Sequence, residues 1–86
     1  MPGFSGDLNR YIYSYEAGWW TCVERYAKDI DHKANDGDRM GNGWPSEVGG
    51  YWDGSTDCER RVRKIIDMLG KPRAQKVFEQ SLHMPS

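Results

Sequence analysis

From Asp36 to Glu47 the chain reads Asp-Gly-Asp-Arg-Met-Gly-Asn-Gly-Trp-Pro-Ser-Glu, with acids at the first, third and twelfth places and glycine at the sixth. Oxygen ligands at that spacing are what a twelve-residue calcium loop uses, so Asp36, Asp38, Asn42 and Glu47 form a candidate cation site. Three departures weigh against it. Met40 brings no oxygen to the fifth place, Gly43 replaces the usual apolar eighth residue, and Pro45 opposes entry into a helix. A solvated turn of Asp, Gly and Asn is the expectation, and a calcium-binding regulator ranks below it.

Seven of the twelve basic residues, Arg60, Arg61, Arg63, Lys64, Lys71, Arg73 and Lys76, fall within seventeen positions. Arg60, Arg61, Arg63 and Lys64 are candidates to hold a nucleotide-like anion by its phosphate, with Trp44 or Trp52 stacking on the base. On a helix these four point in several directions, and a solvated polar face accounts for them equally well. One short chain offers little pocket volume, so such a ligand binder is expected to work as a homo-oligomer.

The cysteines, Cys22 and Cys58, and the histidines, His32 and His83, lack the paired short spacings of structural zinc sites. Both cysteines fall on apolar stripes, where a free thiol behaves as a small hydrophobe, and a buried reduced pair is expected. Nucleophilic catalysis needs a nucleophile, a base and an orienting group, and the chain has no G-x-S-x-G, P-loop or kinase-like pattern. No catalytic residue and no cofactor are assigned, and a non-enzymatic role is expected.

The elements that would carry these groups follow from periodicity. Leu8, Tyr11, Ile12, Tyr15, Trp19, Cys22, Val23, Tyr26, Ala27 and Ile30 recur every three or four residues, which predicts a helix over about 6–33. Ser5 can cap it, with Asp7 near the positive end of its dipole. Gly18 lies inside this helix at a cost of about 1 kcal/mol against alanine, and marks a place where another backbone comes close. Tyr13 and Trp20 share a second face, about 120° from the core stripe. Either other elements cover that face or it anchors a partner.

Between Ala34 and Gly54 the periodicity stops, and Gly37, Gly41, Gly43, Gly49, Gly50 and Gly54 supply six of the twenty-one residues. A loop is predicted over 34–54, packed on itself through Trp44, Val48, Tyr51 and Trp52, with at most one helical turn from Pro45 to Val48 stopped by Gly49. Thr56-Asp57-Cys58-Glu59 fits a capping box and predicts a second helix over about 56–69, ended by Gly70 and Pro72. A third is predicted over about 72–82, with Ala74, Val77, Phe78 and Leu82 facing inward. The fold class is therefore all-α: a long N-terminal helix, an ordered Gly/aromatic-rich loop and a C-terminal helical hairpin, in one domain spanning 1–86.

Composition narrows the functional classes. With 86 residues, 13% aromatic and 29% charged, the chain is expected to fold around one modest core. No apolar run reaches membrane-spanning length and the first residues do not resemble a leader, so a cytoplasmic protein without membrane contact is expected. Residues 1–54 carry five basic and nine acidic side chains, whereas 55–86 carry seven and four. This dipolar distribution disfavours a general nucleic-acid binder. Rigid aromatics beside adaptable glycines suit docking on a larger protein, with Trp44, Tyr51, Trp52, Tyr13 and Trp20 as anchors. The leading expectation is a small protein-binding module of the inhibitor or adaptor kind that viruses and mobile elements encode.

Overall fold

A computed structural model describes residues 8–33, 38–39 and 44–83. Three helices account for most of them, α1 at Leu8–Lys28, α2 at Ser46–Leu69 and α3 at Lys71–His83, and no strand occurs among the described residues. The predicted all-α, three-helix architecture with a C-terminal helical hairpin holds. Ser5 and Asp7, the expected cap of α1, lie outside the described residues.

α1 ends five residues before the predicted boundary. Past Lys28 the Asp29 carboxylate accepts the backbone N–H of Asp31 at 3.0 Å, and His32 N donates to Asp29 O at 3.1 Å. Such local side-chain bonding offers the backbone an alternative to the helix. Arg25 and Lys28 occupy the last turn, where cations suit the negative end of the dipole.

The larger departure is α2. It starts at Ser46, ten residues before the predicted start, and runs through Gly49, Gly50 and Gly54 instead of being stopped by them. Gly49 N donates to Pro45 O at 2.9 Å as the helix opens. Thr56, the expected cap, is a buried mid-helix residue, so the capping-box pattern has no helix start to serve.

Tertiary packing explains the override. A Cβ on Gly50 would overlap the backbone carbonyl of Tyr11, one on Gly54 the carbonyl of Tyr15, and one on Gly18 the carbonyl of Tyr51. Each glycine costs roughly 1 kcal/mol of helix propensity. In return the two backbones approach so closely that only glycine fits between them. Gly18 does mark a close approach, and its partner is the segment predicted as loop.

α1 and α2 run in the same direction. Tyr11 meets Asp53 and Tyr15 meets Asp57, a constant separation of 42 residues, and farther along Cys22 meets Cys58 across 36. The chain from 29 to 45 must therefore return the length of α1 before α2 begins. Gly70, at φ 81° and ψ 160°, then reverses direction, with its N–H on Ile66 O at 2.8 Å. That backbone region belongs essentially to glycine. α3 comes back across the C-terminal halves of the other two helices.

Cys22, Val23, Tyr26 and Ala27 from α1, Cys58 and Val62 from α2, and Ala74 and Phe78 from α3 form the core, flanked by Trp19, Ile30, Ile65 and Ile66. The Tyr26 and Phe78 rings pack with centroids 6.5 Å apart. Gln75 Nε2 donates to Ala27 O at 3.0 Å, and Lys71 Nζ reaches Asp31 at 2.6 Å. Cys22 and Cys58 are joined as a disulfide, with Cα atoms 6.2 Å apart, rather than lying side by side as the expected free thiols. Two apolar stripes that face each other brought the sulfurs together, and that facing was not readable before the register of α2 was known.

Candidate binding surfaces

Along one side of the seam, Tyr11, Tyr15 and Trp19 project on successive turns of α1. Their rings follow one another at 6.3 and 6.4 Å. Asp53 and Asp57, likewise one turn apart, face them from α2. Tyr11 OH donates to Asp53 at 2.5 Å and Tyr15 OH to Asp57 at 2.5 Å. Arg39, from the connection, donates to Asp57 at 2.6 Å and to Tyr11 OH at 3.2 Å, and lies 3.7 Å from the fully buried Asp53 carboxylate. Burial, then the hydrogen bond and charge of Asp57, push Tyr15 up to about 12. Burial and Asp53 raise Tyr11 as well. Both phenols stay neutral donors at ordinary pH, and the cluster spends its polar groups on joining α1, α2 and the connection.

From sequence, Tyr11 and Tyr15 were expected only as part of the apolar stripe and Asp57 only in a capping box, and none of Tyr11, Tyr15, Arg39, Asp53 and Asp57 was assigned to a site. The signal existed in the i, i+4 spacing of Tyr11 and Tyr15 and of Asp53 and Asp57. It was hidden because Asp53 fell inside the predicted loop.

The five predicted anchors separate. Tyr13 is 77% exposed and Trp20 49% exposed on the outer side of α1, so among the described residues no other element covers that face. Tyr13 borders a hollow of about 410 Å³ between the N-terminal parts of α1 and α2, lined also by Asn9, Arg10, Ser14 and Glu47. Arg10 and Glu47 face each other across it at 3.8 Å. Trp44 and Tyr51 are also exposed, at the start of α2 and beside Gly18 respectively. Trp52 is half-buried and its indole N–H donates to Asp38 O at 2.7 Å, which gives it a tethering contact instead.

No family model, curated protein or solved structure matches this chain.

Of the candidate calcium ligands, Asp36 and Asn42 lie outside the described residues. Asp38 faces Arg60 at 3.6 Å and Glu47 faces Arg10. Among the described residues no group of three His, Cys, Asp or Glu side chains is arranged to hold a metal ion. His32 is exposed and meets the Tyr26 ring edge-on at 5.4 Å.

The predicted anion ligands divide as well. Arg60, Arg61 and Lys64 gather with Trp19 and Asp57 around a depression of about 240 Å³. Arg63 is not among them, and its charge acts on Tyr26 instead. The aromatic at this depression is Trp19, in place of the expected Trp44 or Trp52. Among the described residues no helix is long and apolar enough to cross a membrane.

Proposed function

We propose that this chain is a small non-enzymatic protein-binding module, of the inhibitor or adaptor type, that docks on a larger protein through the outer face of α1. The supporting observation is the exposure of Tyr13 and Trp20 on that face, with Tyr13 at the edge of a 410 Å³ hollow whose rim carries Arg10 and Glu47. Aromatic anchors beside a recess with a polar rim are how hot spots are built, and a solvent-exposed indole and phenol contribute little to a monomer. The Gly18, Gly50 and Gly54 contacts fix the two helices against each other, so little order is lost on docking. The disulfide supports docking in an oxidising compartment, in place of the cytoplasm expected from the apolar runs and the first residues.

The test has two stages. The immobilised chain captures partners from extracts of its native host, and the purified partner is then titrated against variants with native melting curves. Tyr13→Ala and Trp20→Ala are expected to weaken binding by roughly 2 kcal/mol or more each, about thirtyfold. Met68→Ala, an apolar change as exposed as Tyr13 but far along α2, leaves affinity unchanged. Full affinity in both aromatic variants sinks the proposal.

A further inference from the structure

We infer that the depression at the Trp19 end of the Tyr11–Tyr15–Trp19 side of the seam, formed by Trp19, Arg60, Arg61 and Lys64, is a binding site for the phosphate group of a small molecule. It is separate from the docking face, and its argument rests on charge. Asp57 lines the depression, and its Oδ2 already accepts from Tyr15 at 2.5 Å and from the charged Arg39 at 2.6 Å. Arg60 is opposed by the wholly exposed Asp38 at 3.6 Å. Arg61 and Lys64 form no ion pair among the described residues. Among the described residues Arg61 and Lys64 thus bring two positive charges without an ion pair to the rim of one small recess, a pairing that suits a phosphate monoester, close to −2 at neutral pH.

Three further features favour this ligand class. Arg61 and Lys64 are three positions apart on α2, so they sit on adjacent turns and can reach one anion together. Arginine offers a planar fork to phosphate oxygens and lysine a point charge, a combination suited to a tetrahedral group. The volume, about 240 Å³, lies below that of pockets that enclose drug-sized ligands, so a phosphate fits while the rest of its molecule stays outside. Trp19, half-buried with its ring following Tyr15 at 6.4 Å, lines the recess and presents a fixed aromatic surface to whatever the phosphate carries. A planar base is the group that such a surface holds best.

The experiment is an amide and indole NMR titration of the full oxidised chain at low salt with inorganic phosphate, adenosine 5′-monophosphate and adenosine. Phosphate and the monophosphate are expected to shift the amides of 57–64 and the Trp19 indole N–H, saturably, while adenosine does not. A monophosphate that binds about tenfold tighter than inorganic phosphate adds stacking on Trp19, and equal affinities assign the site to phosphate alone. The Arg61→Gln/Lys64→Gln variant, exposed at both positions and checked for an unchanged melt, is expected to lose at least about tenfold in affinity. Absence of saturable shifts at these positions, or affinity unchanged in that variant, overturns the site.

Discussion

Reduction of the Cys22–Cys58 bond is expected to lower stability by about 4 kcal/mol. The bond closes a segment of 36 residues, which contains the end of α1, the whole connection and the first half of α2. In the chain-entropy account, cross-linking a loop of that size removes roughly 13 cal/mol/K from the unfolded ensemble, or about 3.8 kcal/mol at 25 °C. For a domain this small each kcal/mol moves Tm by about 4–8 °C, so the reduced chain melts roughly 15–30 °C lower. Reduction is the right perturbation because it leaves both sulfur atoms in the core, at 5% and 1% exposure, and so creates no cavity. Cys22→Ala/Cys58→Ala adds a packing loss on top and is expected to melt lower still. The assay is thermal circular dichroism with and without a phosphine reductant, alongside a thiol count on denatured protein. Two free thiols in protein purified without reductant, or a Tm change below about 3 °C on reduction, refutes the reasoning.

Two other perturbations probe the seam. Gly54→Ala improves helix propensity by about 1 kcal/mol but drives a Cβ into the Tyr15 carbonyl, and the net is expected to be a loss of about 1–3 kcal/mol, read by urea unfolding; a stabilised variant shows that the helices do not cross there. Tyr15 bears on alkaline stability. Its folded pKa, about 12, exceeds its ordinary 10.0, so its contribution is complete below pH 10 and is lost as pH rises through 12. Tm measured from pH 9 to 12 is expected to fall less steeply in Tyr15→Phe than in the parent chain, and identical slopes refute the Tyr15–Asp57 pairing.

The apolar stripe of α1 was legible from Trp19 to Ala27 because three-and-four spacing leaves few alternatives, but Leu8 and Ile12, read as part of it, are exposed. The Gly70–Pro72 stop was legible because it depends on backbone chemistry local to those residues. The first ten residues of α2 were not, since Gly49, Gly50 and Gly54 read as breakers by propensity, and only Tyr11 and Tyr15 on the opposite helix make the missing side chains of Gly50 and Gly54 an advantage. The same error concealed the Tyr11–Asp53 and Tyr15–Asp57 pairs, which require Asp53 and Asp57 on one helical face. Among the candidate site residues, the shared face of Tyr13 and Trp20 followed from their angle on α1, whereas its exposure depended on where the other helices pack. The split of Arg63 from Arg60, Arg61 and Lys64 needed the position of Trp19, a tertiary fact.

The parallel course of α1 and α2 has a consequence for how this chain reaches its native state. Helical bundles generally fold fast because neighbours in space are neighbours in sequence. Here the principal seam joins residues 33 to 42 positions apart, and its two helices do not form a hairpin. Until residue 58 has left the ribosome, Tyr11, Tyr15 and Trp19 have no surface on which to lie. The nascent α1 stays exposed through that interval, and loop closure, rather than helix formation, is expected to set the rate of the first productive step. Once the sulfurs are joined that closure is made permanent, so a chain that unfolds with its disulfide intact refolds without repeating the search.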